Sequence, residues 1–541
     1  MPNLTRPEFV EIARARTGHD RAIVIPVSLR LLSDQITPVL AYRRLVAPDE
    51  RTAPSFLLES VEGGERQGRY SILGSKPIIE VVAGGAARSS SSVDVRDHRP
   101  HHHGQRPARA PESHGEHPLF TLRQISRFFE LVIPPGPGGE SLPKCFLGGW
   151  VGYASYDTAR SAEPKLQTST PRDDRHLPDL NFGFYDGVVV FDHVEKVVYI
   201  VHLAIVDPGA DAGEVFDRAV ARLDAKAEEI QRHSKPLPAG RMEREAARKP
   251  LPSNLTREQH SAMIDRAKEY IRAGDIFQVV LGQRFERKSS ADPFDVYRAL
   301  RAVNPSPYMV YLQAEDCILV ASSPEILCRV RAGASERYTV TNRPLAGTRR
   351  RGASASEDAA LEKELLADDK ERAEHIMLVD LGRNDVGRVA RPGSVALPAV
   401  MEVERYSHVM HISSTVTGEL RAGLDCWDAL VAALPVGTIS GAPKIRAMQI
   451  IDELEPIKRG PYGGGMGCVG LDGQMDIALA LRTIVVPTRL RVDSTWTYHL
   501  QASGGIVADS QADAEYQETV NKAAALARAI DVAEQAFSEN R

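Results

Sequence analysis

The sequence is poor in cysteine and has no long apolar run. Its five cysteines are scattered over 541 residues without Cys-x-x-Cys spacing, which argues against a disulfide framework or a zinc site and favours a reducing cytoplasm. No apolar run reaches the roughly 18–20 residues that cross a bilayer, and the N-terminus lacks the apolar segment of a signal peptide. A net charge of −5 argues against nucleic acid as the main partner. We therefore expect a cytoplasmic protein with no membrane and no nucleic-acid partner.

Several common catalytic motifs are also absent. The sequence has no Walker A loop, no G-x-G-x-x-G after a strand and no G-x-S-x-G turn, so a nucleotide, nicotinamide or serine-hydrolase function lacks support. It has no Gly-x-Cys-x-Gly turn either, because Cys145 lies in PKCFLGG and Cys468 in MGCVG. The chain therefore carries no recognisable nucleophile for releasing ammonia from glutamine.

The length and the composition predict a globular protein of two domains. Residues 1–22 are a short lead-in, residues 23–233 are rich in β-branched runs, and residues 234–253 form a linker rich in proline and basic residues. Residues 84–118, with serines 89–92 and histidines 101–103, predict a disordered, solvent-exposed insertion. A second domain, residues 254–530, opens with the capping box Thr256 to Gln259. Helices and strands alternate irregularly, which favours an α+β fold with antiparallel sheets.

Two carboxylate pairs recur at helical spacing in distant parts of the sequence. Glu371 and Glu374 are three residues apart, and so are Glu515 and Glu518, with Lys522 one turn later. Positions i and i+3 share a helix face, so each pair forms an acidic edge. Two such edges can hold a hard divalent cation between them and leave positions open for substrate oxygens. The alternative is that all four are solvated glutamates on surface helices.

Glycine-rich stretches in the second domain are flanked by apolar runs. They are RPLAGTRRRG, with Gly347 and Thr348 between a strand and a helix, PVGTISGAPKIRAM, PYGGGMGCVG and QASGGIVADS. Glycine within a strand lets a ligand approach the backbone, although such a stretch alone is more often a bulge or a turn. Pro443 suits a first helical turn, whose free N–H groups would suit a carboxylate.

The ordered motifs resemble those of the chorismate-utilising enzymes. They are ASSPEILCRV, NRPLAGTRRRG, EHIMLVDLGRNDVGRV, HVMHISSTVTGEL, GTISGAPKIRAM, PYGGGMG, DIALALRT and QASGGIVADS with EYQETVNKA, over roughly residues 254–530. LLESVEGGERQGRYSILG and GGWVGYASYD resemble the companion domain of anthranilate synthase component I. The resemblance implies an α+β fold of antiparallel β-sheets packed in a sandwich, with helices outside.

The resemblance also implies a Mg²⁺-dependent site for chorismate, a dicarboxylate with a poor hydroxyl leaving group. Glu374 and Glu518 match direct metal ligands, and Glu371 and Glu515 lie in or near the next layer around the ion. Glu325 matches the general acid that protonates the departing hydroxyl, although its motif would also allow a salt bridge on a strand.

Further residues match the family's substrate contacts. His411 matches the histidine implicated in pyruvate elimination, while Tyr462 and Arg482 match residues that hold the enolpyruvyl carboxylate. The remaining implied substrate contacts are Gly347, Thr348, Thr438, Ser503, Gly504, Gly505 and Lys522. Ser503 stands where relatives often have glycine.

Two positions discriminate among members of the family. Gln278 stands where water-adding members carry a lysine, and an amide cannot act as a base near neutral pH. Ala346 stands where aminodeoxychorismate synthases often carry a lysine, so a covalent amine mechanism is not available there. We expect ammonia attack at ring position C2, giving anthranilate and pyruvate as the first step of tryptophan biosynthesis. The alternatives are an aminodeoxychorismate synthase and a non-catalytic regulator that binds chorismate or tryptophan.

A partner and an inhibitor follow from the same resemblance. Because the chain lacks a glutaminase nucleophile, we expect a separate glutamine amidotransferase subunit to supply ammonia within a heterotetramer. Ser60 in LLES, together with Pro307, Tyr308 and Met309 in NPSPYM, matches the pocket that binds tryptophan as feedback inhibitor. The alternative is a strand end and a proline-fixed turn that pack two domains together.

Overall fold

The computed structural model describes residues 1–16, 20–46, 53–62, 66–84, 92–99, 117–167, 169–232, 239–241, 249–333, 337–406 and 409–537. Its helices are α1 (Arg6–Arg14), α2 (Pro38–Leu45), α3 (Leu119–Ser126), α4 (Pro137–Glu140), α5 (Ala212–Gln231), α6 (Arg257–Arg272), α7 (Pro293–Val303), α8 (Ala355–Ala367), α9 (Asp369–Val389), α10 (Cys426–Ala433), α11 (Gly437–Ser440), α12 (Lys444–Leu454) and α13 (Ala512–Phe537).

Its strands in the first half of the chain are β1 (Ala22–Leu32), β2 (Ser55–Glu59), β3 (Val61–Glu62), β4 (Arg66–Gln67), β5 (Tyr70–Ser75), β6 (Ile79–Gly84), β7 (Val93–Asp97), β8 (Phe129–Leu131), β9 (Gly149–Ala154), β10 (Pro178–Tyr185), β11 (Gly187–Asp192) and β12 (Val197–Val206). Those in the second half are β13 (Gln278–Ser289), β14 (Tyr308–Ala314), β15 (Cys317–Ser323), β16 (Ile326–Ala332), β17 (Tyr338–Asn342), β18 (Leu345–Arg350), β19 (Ala396–Arg405), β20 (Val409–Glu419), β21 (Gly441–Ala442), β22 (Gly465–Gly470), β23 (Met475–Leu479), β24 (Thr483–Pro487) and β25 (Trp496–Ile506).

Two large sheets each combine strands from both halves of the chain. The first has twelve strands in the order β21-β13-β25-β24-β15-β14-β2-β5-β11-β12-β1-β8, and the second has eleven that include the path β18-β20-β17-β16-β23-β22-β9-β10-β6-β7. The halves join where β14 pairs with β2 and where β22 pairs with β9, both antiparallel. Among the paired strands of the described residues, only β1 and β8 run parallel. The predicted domain boundaries therefore stay a prediction, because neither sheet ends at them.

The packing of the two sheets confirms the predicted fold class. Alternate residues of β11, β14 and β15 meet β9 and β22 in a core between the sheets, with Val190, Leu312, Leu319 and Val151 among its members. Helices α1, α2, α5, α7 and α13 cover the other face of the twelve-stranded sheet, α12 packs against β13 and β21 at the end of that sheet, and α3 and α10 pack against the eleven-stranded sheet. The molecule is thus an antiparallel sandwich with helices outside.

Local sequence signals account for where several helices begin, among them the helix predicted to open the second domain. The Thr256 capping box starts α6, which stops before Gly274, whose φ of +81° favours glycine. The Asp211 carboxylate accepts the N–H of Glu214 and starts α5. Asp368 likewise accepts the N–H groups of Lys370 and Glu371 and so starts α9, the first of the acidic helices.

Two expectations from the sequence need correction. Within the insertion predicted to be disordered, residues Val93–Asp97 form β7 and pair with β6, because Val93 and Val95 alternate with polar residues as an edge strand requires. The histidine run and the remainder of residues 85–91 and 100–116 lie outside the described residues. Gly347 and Thr348 lie inside β18, not in a loop, and Gly347 with φ +71° occupies a break in the strand register.

Two findings bear on the predicted compartment. All five cysteines are free. None of the helices in the described ranges combines the length and the apolar character needed to cross a membrane.

The close packing of β9 against β10 generates a stability prediction at Gly152 of β9. A Cβ there would lie 2.0 Å from the Asn181 carbonyl oxygen and 2.6 Å from Phe182 Cα, both of them backbone atoms of β10. Because a paired strand cannot yield as a flexible side chain does, we expect Gly152→Ala to lower the free energy of unfolding by about 1–3 kcal/mol. Urea unfolding followed by circular dichroism measures the change.

Gly387→Ala in α9 is the matched control for this prediction. A Cβ at Gly387 meets nothing within 4 Å, so the gain in helix propensity should raise the free energy of unfolding by about 0.5–1 kcal/mol. Equal unfolding midpoints for the two variants would contradict the close approach of Gly152 to the backbone of β10.

Candidate active site

The two acidic helix edges converge on one pair of glycines. A Cβ built on Gly504 of β25 would lie 3.0 Å from Glu515 Oε2, and one built on Gly505 would lie 3.5 Å from Glu374 Oε1. Helix α13 therefore brings its carboxylates to the same strand as α9, although more than 100 residues separate the helices. The missing side chains of the two glycines are what let these carboxylates lie against the strand.

A buried amide fixes the orientation of Glu374. Gln278 Nε2 donates a hydrogen bond of 3.0 Å to Glu374 Oε1, and Gln278 is only 2% exposed. A Cβ on Gly505 would collide with this amide, at 2.6 Å from Nε2. The amide that stands where the resemblance implies a lysine in water-adding members thus holds a predicted metal ligand in place.

The electrostatics of the acidic cluster suit a divalent cation. Burial and then the neighbouring Glu371 raise the pKa of Glu374 above its usual value, and Glu518 adds to the effect. Burial likewise raises the pKa of Glu515, with a further contribution from Glu518. A cation bound among these groups would offset their repulsion.

Lys522 supplies one positive charge beside the acidic cluster. Its Nζ lies 2.5 Å from Glu518 Oε1 and donates to the Ser503 carbonyl oxygen at 2.9 Å. In the described part of the chain, no three His, Cys, Asp or Glu side chains enclose a metal by themselves. An ion here would need water and ligand oxygens to complete its coordination, which is how proteins usually bind Mg²⁺. The donor set therefore fits Mg²⁺, and its binding stays a prediction.

Glu325 lies in the connection between β15 and β16 and is 3% exposed. Burial raises its pKa to about 8, while the hydrogen bond that it accepts from the Thr438 hydroxyl at 2.8 Å opposes the rise. The carboxyl is therefore mostly protonated at neutral pH. The geometry suits the predicted proton donor and leaves no salt bridge of the kind that the alternative interpretation required.

His411 lies on β20 beside the bulge of β18. Its Nδ1 is 3.1 Å from the Gly347 carbonyl oxygen and 3.0 Å from Thr348 Oγ1. Because a carbonyl oxygen can only accept, the bond to Gly347 places the proton on Nδ1 and leaves Nε2 unprotonated, with its lone pair directed at Arg482 Nη2 at 3.5 Å. Burial, and next the charge of Arg482, lowers the pKa of His411 to about 4, so the ring is neutral at physiological pH.

Arg482 presents a guanidinium group for an anion. Its Nη2 lies 3.5 Å from His411 Nε2, and its backbone has φ +46°, unusual for a residue with a side chain. Burial lowers its pKa, Tyr406 partly opposes this, and no carboxylate of the described ranges pairs with it. An unpaired, largely enclosed arginine is suited to a ligand carboxylate.

Tyr462 and Ser503 connect these groups under the site. The Tyr462 hydroxyl donates to Ser503 Oγ at 3.0 Å, and burial raises the pKa of Tyr462 to about 12. Ser503 in turn binds Lys522 through its carbonyl oxygen. The serine that replaces the family's usual glycine therefore has a partner for its hydroxyl.

The predicted catalytic and substrate-binding residues thus form one connected region. A Cβ on Gly347 would lie 3.2 Å from Glu371 Oε2, which joins the histidine group to the acidic cluster. The Leu479 amide donates to the Glu325 carbonyl oxygen at 3.0 Å, three residues before Arg482. The residues brought together are Glu325, Gly347, Thr348, Glu371, Glu374, His411, Thr438, Tyr462, Arg482, Ser503, Gly504, Gly505, Glu515, Glu518 and Lys522.

The predicted inhibitor residues meet at the junction of β2 and β14. Met309 pairs with Glu59, and the next residues in this register are Tyr308 and Ser60. The Tyr308 hydroxyl donates to Asp476 Oδ1 at 3.0 Å, and Pro307 precedes the strand. The structure therefore brings the two motifs together from distant parts of the sequence, away from Glu374.

Sequence reasoning gave no site role to Tyr406, and it singled out Gln278 only as a residue that disfavours water addition, not as a partner of Glu374. The Tyr406 ring centroid lies 5.6 Å from that of His411, and its hydroxyl binds Glu404. No sequence motif identifies Tyr406, because only the pairing of β19 with β20 brings it to the histidine. A separate cavity of about 720 Å³ lies between α2, α7 and α13 and contains none of the predicted site residues.

The raised pKa of Glu325 generates a prediction about stability and pH. The unfolded chain ionises this carboxyl near its ordinary pKa of 4.5, while the folded protein holds the proton up to about pH 8, so the contribution to stability is lost as the pH rises between them. Glu325→Gln keeps the acceptor for Thr438 and removes the titration. Relative to the parent protein it should gain about 1.4 kcal/mol of unfolding free energy per pKa unit of difference.

Urea unfolding at a series of pH values measures this gain. Glu269→Gln, which removes an exposed carboxyl from α6, is the matched control. The two pKa values give an interval from about pH 5 to pH 8. If the difference in unfolding free energy between Glu325→Gln and the parent stayed constant over this interval, the carboxyl of Glu325 would not be protonated in the folded protein.

Comparisons with known proteins identify the family of the chain. The family model described as chorismate binding enzyme matches residues 77–528. The chain is 52% identical to anthranilate synthase alpha subunit 1, chloroplastic, of Oryza sativa subsp. indica, over 95% of this chain and 89% of that protein. It is 43% identical to anthranilate synthase component 1 of Pseudomonas putida, over 98% and 99% respectively.

A solved structure gives the same result. Anthranilate synthase component I from Streptococcus pneumoniae superposes with a TM-score of 0.68 at 33% identity, over 92% of this chain and 99% of that one. The resemblance predicted from the ordered motifs is confirmed. The chain therefore belongs to the chorismate binding enzyme family.

Proposed function

We propose that this chain converts chorismate and ammonia into anthranilate, pyruvate and water. The observation that carries the proposal is that one site combines a carboxyl kept protonated at neutral pH, Glu325, with a cluster of carboxylates suited to a cation and an unpaired arginine, Arg482. Chorismate needs these three things: a proton for its hydroxyl, and a positive charge for each of its two carboxylates. The names of the relatives support the same reaction.

Ammonia adds to ring carbon C2 as the C4 hydroxyl leaves, with the double bonds of the ring shifting between them. Glu325 supplies the proton, so that water departs instead of hydroxide. Its burial keeps the proton available at neutral pH, and the Thr438 hydroxyl holds the carboxyl in one orientation. After one proton leaves the ammonium nitrogen, the intermediate is an amino-cyclohexadiene that still carries the enolpyruvyl group.

The acidic cluster would hold Mg²⁺ through Glu374 and Glu518, with Glu371 and Glu515 beside them. When bound, this ion neutralises the ring carboxylate and so favours attack at the neighbouring carbon. Gln278 orients Glu374, and Lys522 limits the repulsion around Glu518. Gly504 and Gly505 leave the space that the carboxylate cluster occupies.

The second step removes pyruvate and makes the ring aromatic. The unprotonated Nε2 of His411 accepts the hydrogen at C2 as a proton once Arg482 has turned to the substrate, the C3–O bond breaks, and the departing enolpyruvate takes a proton from water to become pyruvate. Arg482 binds the carboxylate of the leaving group, for which its donors have the right geometry. Once that carboxylate neutralises Arg482, the charge that lowers the pKa of His411 is offset and the histidine becomes a stronger base.

The choice of nucleophile follows from Gln278 and Ala346. An amide at Gln278 cannot activate water, and its Nε2 is already bound to Glu374. Ala346, beside Gly347 on β18, offers no amine. Free ammonia is thus the nucleophile, supplied in the cell by a glutamine amidotransferase subunit within a heterotetramer. We place this assembly in a reducing compartment such as the cytoplasm.

The Mg²⁺ and ammonia parts of the proposal share one assay. Purified protein incubated with chorismate, ammonium and Mg²⁺ at alkaline pH should produce anthranilate, detected by fluorescence and chromatography. Glu374→Gln and Glu518→Gln should each lower activity at least about 100-fold, because each removes charge that holds the cation. Asp380→Asn, an exposed carboxylate on α9, is the matched control and should keep activity.

Each proposed feature has its own contrary outcome in that assay. Aminodeoxychorismate as the product would support the alternative synthase, and tight chorismate binding without turnover would support a regulator. Undiminished activity in the presence of a chelator would contradict the proposed requirement for Mg²⁺. Efficient use of glutamine by the chain alone would contradict the proposal that a separate amidotransferase subunit supplies the ammonia.

We also propose that tryptophan binds where Ser60 meets Tyr308 and inhibits the reaction. Ser60→Arg places a long charged side chain in that junction, and we expect it to weaken tryptophan binding at least about tenfold, or 1.4 kcal/mol. Isothermal titration calorimetry measures the affinity. Ser356→Arg, which adds the same charge at an exposed position of α8, is the control. Equal tryptophan affinity in the parent and in a folded Ser60→Arg protein would remove the assignment.

A further inference from the structure

A fully buried ion pair lies directly behind the proposed site. Arg459 and Glu455 have side chains that are 2% and 3% exposed, and they form two hydrogen bonds, Nε to Oε2 at 2.8 Å and Nη2 to Oε1 at 2.6 Å. The guanidinium group also lies over the Tyr156 ring, 4.7 Å from its centroid. The mechanism proposed above uses neither of the two charged residues.

The pair continues a sheet where its edge strand stops. Strand β21 pairs with Gln278 and Val279 of β13 and then ends. The next backbone groups on that side of β13 bind the ion pair instead: the Val280 carbonyl oxygen accepts from Arg459 Nη2 at 2.7 Å, and the Gly282 N–H donates to Glu455 Oε1 at 2.9 Å. The side chains of Arg459 and Glu455 thus form the hydrogen bonds with β13 that a longer β21 would otherwise form with its backbone.

The same guanidinium group also fixes the short helix α11. Arg459 Nη1 donates to the Ile439 carbonyl oxygen at 2.7 Å, and Ile439 follows Thr438, whose hydroxyl binds Glu325. The helix has only four residues, so this anchor lies within one turn of Thr438. Glu325 and Gln278 are therefore joined through one buried charge.

We propose that Arg459 and Glu455 act as a positioning pair that holds Thr438 against Glu325 and the Gln278 end of β13 under Glu374. The role of Glu325 rests on the proposed function, whereas the contacts of the pair do not. A buried ion pair contributes little net stability compared with apolar residues of the same volume. Its contribution here is the fixed distance between α11, β13 and the end of α12.

The pair therefore affects how strongly Glu325 holds its proton. Burial and the Thr438 hydroxyl are the two influences on the pKa of Glu325, and the hydroxyl favours the ionised form. If the anchor on Ile439 is lost, Thr438 moves away and the pKa of Glu325 rises. A residue that served only the overall fold would lower activity by the same factor at every pH.

Arg459→Lys tests this inference, because lysine keeps the charge and cannot form the fork of bonds to Glu455, Val280 and Ile439. The first readout is the ratio of variant to parent rate with chorismate and ammonium across pH, in which the titration of ammonium cancels. The second is infrared difference spectroscopy of the protonated carboxyl, identified by its loss in Glu325→Gln, which needs no turnover. Both should show the titration of Glu325 moving up by about one pH unit, a tenfold change in proton affinity.

Thr438→Val completes a double-variant comparison. It should raise the titration of Glu325 by itself, and Arg459→Lys should add no further shift in its presence. Arg446→Lys is the matched control and should leave the titration of Glu325 unchanged. Arg446 lies in α12, the helix that ends next to Glu455, and its part-exposed ion pair is with Asp275. Glu455→Gln, which keeps one acceptor oxygen, replaces Arg459→Lys if that variant does not fold.

The outcomes separate this inference from the proposed function. A rate ratio that is independent of pH, an infrared titration that does not move, or shifts that add in the double variant would each overturn the positioning role. Absence of anthranilate from the parent protein would overturn the proposed reaction instead, and the infrared readout would still decide the inference.

Discussion

The repulsion among carboxylates that are forced together over Gly504 and Gly505 is the constraint on which the site depends. Glu374 belongs to α9, which packs on β18 and β20 of one sheet, whereas Glu515 and Glu518 belong to α13, which packs on β25 of the other. The distance between the edges is thus set by how the two sheets pack face to face. That packing is the core that contains Val190, Leu312, Leu319 and Val151, so contacts between the sheets determine the charge density of the site.

Burial is the main cause of the protonation states that the proposed acid and the proposed base need. It disfavours the charged form of either group, so it raises the pKa of Glu325 to about 8 and lowers that of His411 to about 4. At neutral pH one therefore carries a proton and the other can accept one. Hydrogen bonds refine this result, since Thr438 opposes the shift of Glu325 and Gly347 fixes the tautomer of His411.

Local structure and the acidic edges could be predicted from the sequence because their signals lie within one or two helical turns. The capping box of α6, the Asp211 cap of α5 and the Glu-x-x-Glu spacing are such signals. The sheet order could not be predicted, because β9 pairs with a strand more than 300 residues away. The role of Arg459 depends on its contact with Val280, 179 residues away, so no local pattern indicates it. Tyr406 meets His411 across the turn between β19 and β20, but no motif distinguishes it from any other aromatic residue of a hairpin.

The alternation of side chains along β2 determines which face of the sheet the predicted inhibitor residue Ser60 occupies. Leu57 and Glu59 face the outer helices, where Glu59 binds Tyr297 and Arg301, while Leu58 packs in the core between the sheets. Ser60 shares the face of Leu58 and neighbours Tyr308, whose hydroxyl binds Asp476 on β23.

Strand β23 continues from Asp476 directly to the site. Three residues beyond it, Leu479 binds the carbonyl oxygen of Glu325, and Arg482 follows after three more. A ligand at Ser60 that displaced Tyr308 would therefore act on a strand that supports the proton donor and leads into the connection that carries the arginine. Inhibition requires two stable arrangements of that strand, since a ligand that binds both equally shifts neither.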